Sequence, residues 1–238
     1  MGEGRGEGCM KRIVEPELLD ELPPDDPCAV HSRRDLRRLN WCMRHLDIFC
    51  AAAALVPPPR SIAELGAGDG TLMLAIARRM HQRWPAVRVT LVDRQKTVAA
   101  ETLARFGQFG WSAEAVIADV FDWLKATEPA DLILANLFLH HFADAKLAEL
   151  LRLVAARTDF FLAGETRRTW PSFAVGRLLW FLGCNAVTRS DAQVSMRAGF
   201  RDAELSALWP PGGGWQLQES GTVVFTHLFV AQRKGDGR

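Results

Sequence analysis

The sequence predicts an α/β fold, a doubly wound seven-stranded sheet that is mostly parallel, closed by an antiparallel C-terminal hairpin and preceded by a helical cap. Three observations carry this. Short continuous apolar runs alternate with amphipathic stretches between residues 60 and 165, the first run ends in the glycine-rich turn Glu64–Gly70, and residues 215–231 read as two paired strands. Strands buried on both faces appear as unbroken apolar runs, and parallel neighbours need helical crossovers between them.

Residues 1–30 mix Gly, Pro and scattered charge without periodicity and read as a flexible or loosely docked tail. From Ser32 the pattern changes. Leu36, Leu39, Met43, Leu46 and Phe49 or Cys50 recur at spacings of three and four, the apolar face of a helix with Ser32 as N-cap and Pro57-Pro58-Pro59 as its stop. Residues 31–59 are thus expected as the helical cap. Its opposite face carries Arg33, Arg34, Arg37 and Arg38, read first as a solvated surface and otherwise as contact with an anionic ligand or partner.

The sheet region then follows in order. Strands are expected at Ser61–Leu65, Val87–Val92, Ala115–Ala118, Leu132–Ala135 and Phe160–Ala163, with helices at Thr71–Trp84, Gln95–Phe106 and Ala143–Ala156. The rhythm then breaks. An apolar, aromatic helical stretch at Trp170–Phe181 and one or two helices in Asp191–Leu208 form a helical insertion at about 166–210, within a domain spanning 60–238. Pro210–Gly214 breaks the chain, and Trp215–Glu219 pairs with Val223–Ala231 across Ser220-Gly221.

Composition narrows the chemistry. The 238 residues suit one domain with an appendage, and 48% apolar against 24% charged residues provides a core and excludes whole-chain disorder. A net charge of +1 supplies no polyanion-binding field, so no nucleic acid is expected as partner. The absence of tyrosine excludes phenol-dependent mechanisms, among them the Tyr–Lys pair of short-chain dehydrogenases. Five cysteines with no C-x-x-C pair oppose a disulfide framework or a structural zinc site and suit a reducing compartment. The charged, Gly-rich first eight residues lack a signal peptide's apolar stretch, and the longest apolar runs, Ile48–Val56 and Phe173–Cys184, fall far short of roughly 20 residues, so a soluble cytoplasmic protein without membrane contact is expected.

The strongest chemical signal is Glu64-Leu65-Gly66-Ala67-Gly68-Asp69-Gly70, between a strand and a helix. Glycines allow a sharp turn and close approach to a ligand, and the helix start offers free N–H groups. The glycines fall G-x-G-x-G rather than the G-x-G-x-x-G of dinucleotide binders, with an acid two residues ahead. Here the chain resembles the class I S-adenosylmethionine-dependent methyltransferases, in particular their bacterial small-molecule members, whose first motif is E/D-x-G-x-G-x-G. The resemblance covers residues 60–165. It implies a Rossmann-like fold, S-adenosyl-L-methionine as cofactor, and a cofactor site of Glu64 near the methionine amino group with Gly66, Ala67, Gly68 and Gly70 beneath the cofactor.

Asp93, with Arg94 beside it, ends the second strand 23 residues after Gly70, where a carboxylate accepts both ribose hydroxyls. In the resembled family an acid after strand three bonds the adenine amino group, which points to Asp119 with Val120; the competing role of Asp119 is a helix N-cap. Strand four runs out at Asn136, followed by Leu137-Phe138-Leu139-His140-His141-Phe142. That segment is similar to the polar residue, apolar residues and His-His of small-molecule methyltransferases and departs from the N-P-P-Y/F of nucleobase methylators.

Methyl transfer to a hydroxyl needs a base, and histidine is the natural one near neutral pH. His140 and His141 are the candidates, with His45 and His227 behind them; either member of the pair is alternatively an anchor for its turn. Glu165 is a candidate substrate ligand, otherwise a polar loop residue or the partner of a nearby Arg. Trp41, Trp170, Phe173, Trp180 and Phe181 are candidate lid residues, otherwise core. The expected reaction is O-methylation of a small, largely apolar, hydroxylated metabolite, aromatic ones included. The alternatives are a protein or RNA acceptor, supported by the 33–38 basic face alone, a nicotinamide oxidoreductase, and a non-catalytic binding protein, which the intact glycine turn opposes. No metal is expected, and no sequence signal bears on oligomeric state.

Overall fold

The computed structural model describes residues 10–23, 25–54, 56–170, 183–222 and 225–234. Seven strands form one sheet: β1 (Ser61–Leu65), β2 (Arg88–Asp93), β3 (Ser112–Ile117), β4 (Leu132–Asn136), β5 (Phe160–Thr166), β6 (Trp215–Thr222) and β7 (Thr226–Arg233), in the order β3-β2-β1-β4-β5-β7-β6. The first five pair in parallel, and β7 is antiparallel to both β5 and β6. The chain leaves β1 towards β2 on one side and returns as β4 on the other. The crevice at such a reversal is where this architecture exposes a ligand site.

Helices cover both faces: α1 (Leu18–Glu21), α2 (Pro27–Cys42), α3 (His45–Ala53), α4 (Thr71–Met80), α5 (Ala100–Phe106), α6 (Val120–Ala126), α7 (Asp144–Ala155), α8 (Ala186–Ala198) and α9 (Glu204–Leu208). One apolar layer packs α3 and α4 with Trp84 and Phe106 on the outward face of β1 and β2. The other packs α6, α7 and α9 against Leu65, Ile133, Phe161 and Phe229. Every residue of β5 is buried, as its run of apolar residues predicts for a strand covered on both faces. None of the described helices is long and apolar enough to cross a membrane, and Cys28, Cys42, Cys50 and Cys184 are unpaired.

Several boundaries differ from expectation for local reasons. The cap is two helices, because Arg44 adopts a left-handed conformation (φ 55°) that ends the first. Its N-cap is Asp26, which accepts from Cys28 N and Ala29 N ahead of Pro27 at the first turn, whereas Ser32 is buried inside α2 and bonds Asn185. Strand β5 continues to Thr166 because β7 pairs with it that far. Ser220 and Gly221, expected as the hairpin turn, lie inside β6 opposite Leu228 and His227, so the chain reverses beyond them. Strand β3 begins at Ser112, three residues early, since an edge strand with exposed residues shows no continuous apolar run.

The stretch expected as a flexible or loosely docked tail makes defined contacts from residue 10 onwards, where Met10 O accepts from Arg168 Nε (3.0 Å). Arg12 donates from Nε to Ala198 O (2.8 Å) and from Nη2 to Phe142 O (2.8 Å). The Asp191 carboxylate of α8 accepts from Leu18 N (2.9 Å) and Leu19 N (3.0 Å), fastening the start of α1.

Candidate active site

A cavity of about 660 Å³ opens at the C-terminal ends of β1, β2 and β4, within the range that holds a cofactor-sized ligand. The loops after these three strands form its floor, α2 one side, and residues Val14–Asp20 the facing wall.

On the floor, Gly66, Gly68 and Gly70 all have positive φ (66°, 54° and 71°). Their surroundings differ. A Cβ on Gly66 would overlap the Phe138 ring, and one on Gly70 would stand 2.8 Å from Leu91 Cδ1, whereas one on Gly68 would meet no protein atom within 4 Å. Gly68 is therefore the glycine facing open space. Its N–H donates to Asp93 Oδ2 (2.9 Å), and Asp93 Oδ1 accepts from Gln95 N (2.8 Å). The first two signals read from sequence are thus one hydrogen-bonded unit, and each Asp93 oxygen keeps a further lone pair.

Glu64 lies under this turn on the central strand, buried, with Oε2 lacking a hydrogen-bond partner among the described residues. Burial, reinforced by the nearby carboxylates of Asp69 and Asp93, pushes its pKa well above the ordinary carboxylate value. A buried orphan carboxylate is costly and calls for a cationic partner. Ala67 and Val120 are buried and, with Asp119, line the cavity. Asp119 also caps α6, accepting from Phe121 N (2.8 Å), so its competing role is met in the same geometry. Arg94 lines the rim and pairs with Asp20 (3.8 Å). Asn136 lines the cavity and donates from Nδ2 to Asn40 Oδ1 (3.2 Å).

After Asn136 the chain turns through Leu137 at φ 50°, a conformation rare for a leucine, into a single 3-10 turn, Leu139–His141. Glu165 builds this turn. Fully buried on β5, its Oε1 accepts from Phe138 N (2.9 Å) and Leu139 N (2.7 Å), and its Oε2 meets His140 Nδ1 at 2.7 Å. It is neither a loop residue nor an arginine partner.

The two histidines are not equivalent. Both ring nitrogens of His140 face carboxylates, Nδ1 that of Glu165 and Nε2 that of Glu17 (3.2 Å). Burial works against its charge, but the two carboxylates outweigh it and raise the pKa to about 10, so His140 is an imidazolium. In return Glu17, despite burial, is held down to about 2, mainly by His140. His141 stacks on that cation with ring centroids 4.4 Å apart. Burial and the His140 charge lower its pKa, leaving it neutral. Its Nδ1 lies 3.5 Å from Asp20 Oδ2.

Glu17, His140 and His141 also offer ligand atoms within 4.8 Å of one another. Here both His140 nitrogens are engaged by the carboxylates of Glu165 and Glu17, an ion clasp.

The remaining candidates fall elsewhere. His45 is buried in α3, its pKa driven down to about 4 by burial, and His227 pairs with Glu219 Oε2 (2.6 Å); neither lines the cavity. In the basic face, Arg37 binds Asp69 (2.5 Å) and Arg38 binds Asp35 (3.3 Å). Trp41 and Trp170 are largely exposed and do not line the cavity, and Phe173, Trp180 and Phe181 lie outside the described residues. Sequence reading missed the wall from the N-terminal segment. Glu17 and Asp20 reach across more than a hundred residues to the histidines, a relation no local spacing encodes.

Residues 62–158 match the model of a family described as "Methyltransferase domain". The ribosomal protein L11 methyltransferase of Rhodopseudomonas palustris (strain BisB5) is 38% identical over 98 residues, 40% of this chain and 31% of that protein. The matched segment thus spans about a third of the curated relatives' length. An O-methyltransferase family protein from Burkholderia thailandensis superposes with a TM-score of 0.63 at 17% identity, over 90% of this chain and 62% of the other. The plantazolicin methyltransferase BpumL, solved with a desmethyl plantazolicin analogue and S-adenosylhomocysteine, gives 0.63 at 13% identity over 88% and 91%. The matched segment, the strand order and the glycine turn agree on a methyltransferase domain within this chain, matched over residues 62–158.

Proposed function

We propose that the cavity binds S-adenosyl-L-methionine and that the protein methylates a hydroxyl group of a small, largely apolar metabolite, aromatic acceptors included. The observation carrying this reading is the buried Glu64 carboxylate, whose Oε2 has no partner among the described residues, beneath the open Gly68 turn. An α-ammonium group is the cation that suits it. Asp93 then offers its remaining lone pairs to the ribose hydroxyls, and Asp119 and Val120 face the adenine.

When bound, S-adenosylmethionine supplies an electrophilic methyl group on a sulfonium. The chain's part is to place the acceptor oxygen in line and to take its proton. His140 cannot take it, being already charged. His141 is neutral and lines the cavity, so we assign it the base. Phe138, Phe142 and Leu137 give that side of the cavity an apolar surface for the acceptor.

Plantazolicin methyltransferase, a structural neighbour, was solved with a monoazolic desmethyl plantazolicin analogue, which is in keeping with a small acceptor here. The name of the L11 relative points to a protein acceptor, but its match spans only 98 residues, 31% of that protein. The basic face, the one feature favouring a macromolecule, has Arg37 and Arg38 engaged within the chain.

Incubation with methyl-labelled S-adenosylmethionine and a library of phenols and aliphatic alcohols is the test. We expect label in at least one extractable small-molecule ether, reduced about a hundredfold or more in His141→Gln. Label appearing only in acid-precipitable protein or RNA would overturn the reading.

A further inference from the structure

We infer that Asp20, delivered by the N-terminal segment, is the positioning residue for His141, so that base and orienting carboxylate come together only with this segment seated on the cavity. The inference rests on the reading of His141 as the base.

The geometry has the form of a base held by an acid. His141 Nδ1 faces Asp20 Oδ2 at 3.5 Å, which leaves Nε2 for an acceptor in the cavity that His141 lines. A carboxylate on Nδ1 selects the tautomer with the proton on that nitrogen and stabilises the cation formed on proton transfer. A separation of 3.5 Å suits a resting contact that tightens when the ring charges. As the acceptor's O–H proton moves to Nε2, its oxygen bonds the methyl carbon and the carbon–sulfur bond breaks, leaving a thioether and an imidazolium whose Nδ1–H points at Asp20.

The segment is held where this requires. Asp191 binds Leu18 N and Leu19 N, Glu17 clasps His140 and accepts from Ser195 Oγ, and Gln95 Nε2 donates to Asp20 O (3.3 Å). The last contact lies two residues from Asp93, so one segment touches both the ribose carboxylate's loop and the histidine turn. The charged groups acting on His141 are His140 from its own turn, Glu17 and Asp20 from the N-terminal segment, and Glu165 from β5. Of these, Glu17 and Glu165 are engaged by His140. Asp20, whose other ion-pair partner is the exposed Arg94 at 3.8 Å, is the acid left for His141.

The test uses the full chain labelled with ¹⁵N-histidine. The pH titration of His141, assigned by its loss in His141→Gln, is compared in wild type, Asp20→Asn and Asp20→Glu. We expect Asp20→Asn to lower the midpoint by roughly half a unit or more and to shift the tautomer balance, with Asp20→Glu between the two. Superimposable titrations in folded proteins would overturn the inference. In parallel, turnover on whichever hydroxyl acceptor the wild type methylates should fall about tenfold or more in kcat for Asp20→Asn, with S-adenosylhomocysteine affinity changed less than about twofold, and recover in part in Asp20→Glu. A wild type that methylates no hydroxyl acceptor would sink the functional reading and leave the titration to decide the contact. An active wild type with an unshifted titration would sink the role of Asp20 alone.

Discussion

Phe138 lies where a side chain on Gly66 would have to be. The first glycine of the turn is thus demanded by the protein's own packing, the third by Leu91, and only Gly68 is kept bare towards the cavity. Substitutions should separate along this line. Gly66→Ala forces both a positive φ and an overlap with a ring, and should cost about 2–4 kcal/mol of stability. Gly68→Ala keeps the strain alone, so we expect a loss of roughly 1–2 kcal/mol, with S-adenosylhomocysteine affinity falling at least about tenfold because the new methyl projects into the ligand's space. Thermal denaturation and calorimetric titration read both. Equal stability losses with unaltered affinity in Gly68→Ala would contradict the division.

Glu64 predicts a trade between stability and binding. Its carboxylate is buried, Oε2 has no partner among the described residues, and its pKa is raised first by burial and then by Asp69 and Asp93. Glu64→Gln makes the side chain neutral at every pH and should raise the melting temperature of the ligand-free protein above the Glu64 midpoint, where burial penalises the carboxylate, while weakening S-adenosylmethionine at least about tenfold. The raised pKa adds a sign. Below its raised midpoint Glu64 carries a proton that an arriving ammonium would expel, so binding there should release protons and weaken as pH falls through that midpoint. Titrations in buffers of different ionisation enthalpy measure this, and proton uptake would be the contrary result.

Asp119 has two jobs that serine and alanine pull apart. Its carboxylate caps α6 through Phe121 N and lines the cavity. Asp119→Ser keeps a capping oxygen, so stability should stay within about 0.5 kcal/mol, whereas Asp119→Ala should lose about 1 kcal/mol. Both should weaken S-adenosylhomocysteine to a similar extent if the carboxylate bonds adenine. An Asp119→Ser protein that binds like wild type would leave Asp119 as a cap and nothing more.

The gathering of the residues read for a cofactor was legible because its signals are local. Glu64, Gly66, Gly68, Asp93 and Asp119 sit at strand ends whose apolar runs announce them, and that placement brings them to one cavity. The acceptor half was not. Nothing near His140 in sequence distinguishes it from His141; the difference comes from Glu165, one strand away, and from Glu17, 123 residues earlier. The N-terminal segment was misjudged for the same reason. Arg12, Glu17 and Asp20 fall on no helical or strand period, and their partners are carbonyls and side chains supplied by α8 and the histidine turn. The hairpin turn was misplaced because Ser-Gly is a turn signal that continued pairing with β7 overrides.

The clasp between Glu17 and His140 should give the protein a stability window in pH. For His140, burial is outweighed by Glu165 and Glu17, and the midpoint rises from 6.5 to about 10. Its contribution is therefore complete below 6.5 and is lost as pH climbs towards 10. For Glu17 burial is outweighed mainly by His140, and the midpoint falls from 4.5 to about 2. Its contribution is complete above 4.5 and is lost as pH drops towards 2. Both conditions hold together only between these ordinary values, 4.5 and 6.5. Glu17→Gln keeps a hydrogen-bonding side chain but removes the charge, and should cost about 1–3 kcal/mol inside that window. Melting curves of wild type and Glu17→Gln, taken from roughly pH 3 to 10 to cover both flanks, should show their widest gap there and converge on either side. A gap that stays constant across the range would mean that Glu17 holds the segment by shape and not by charge.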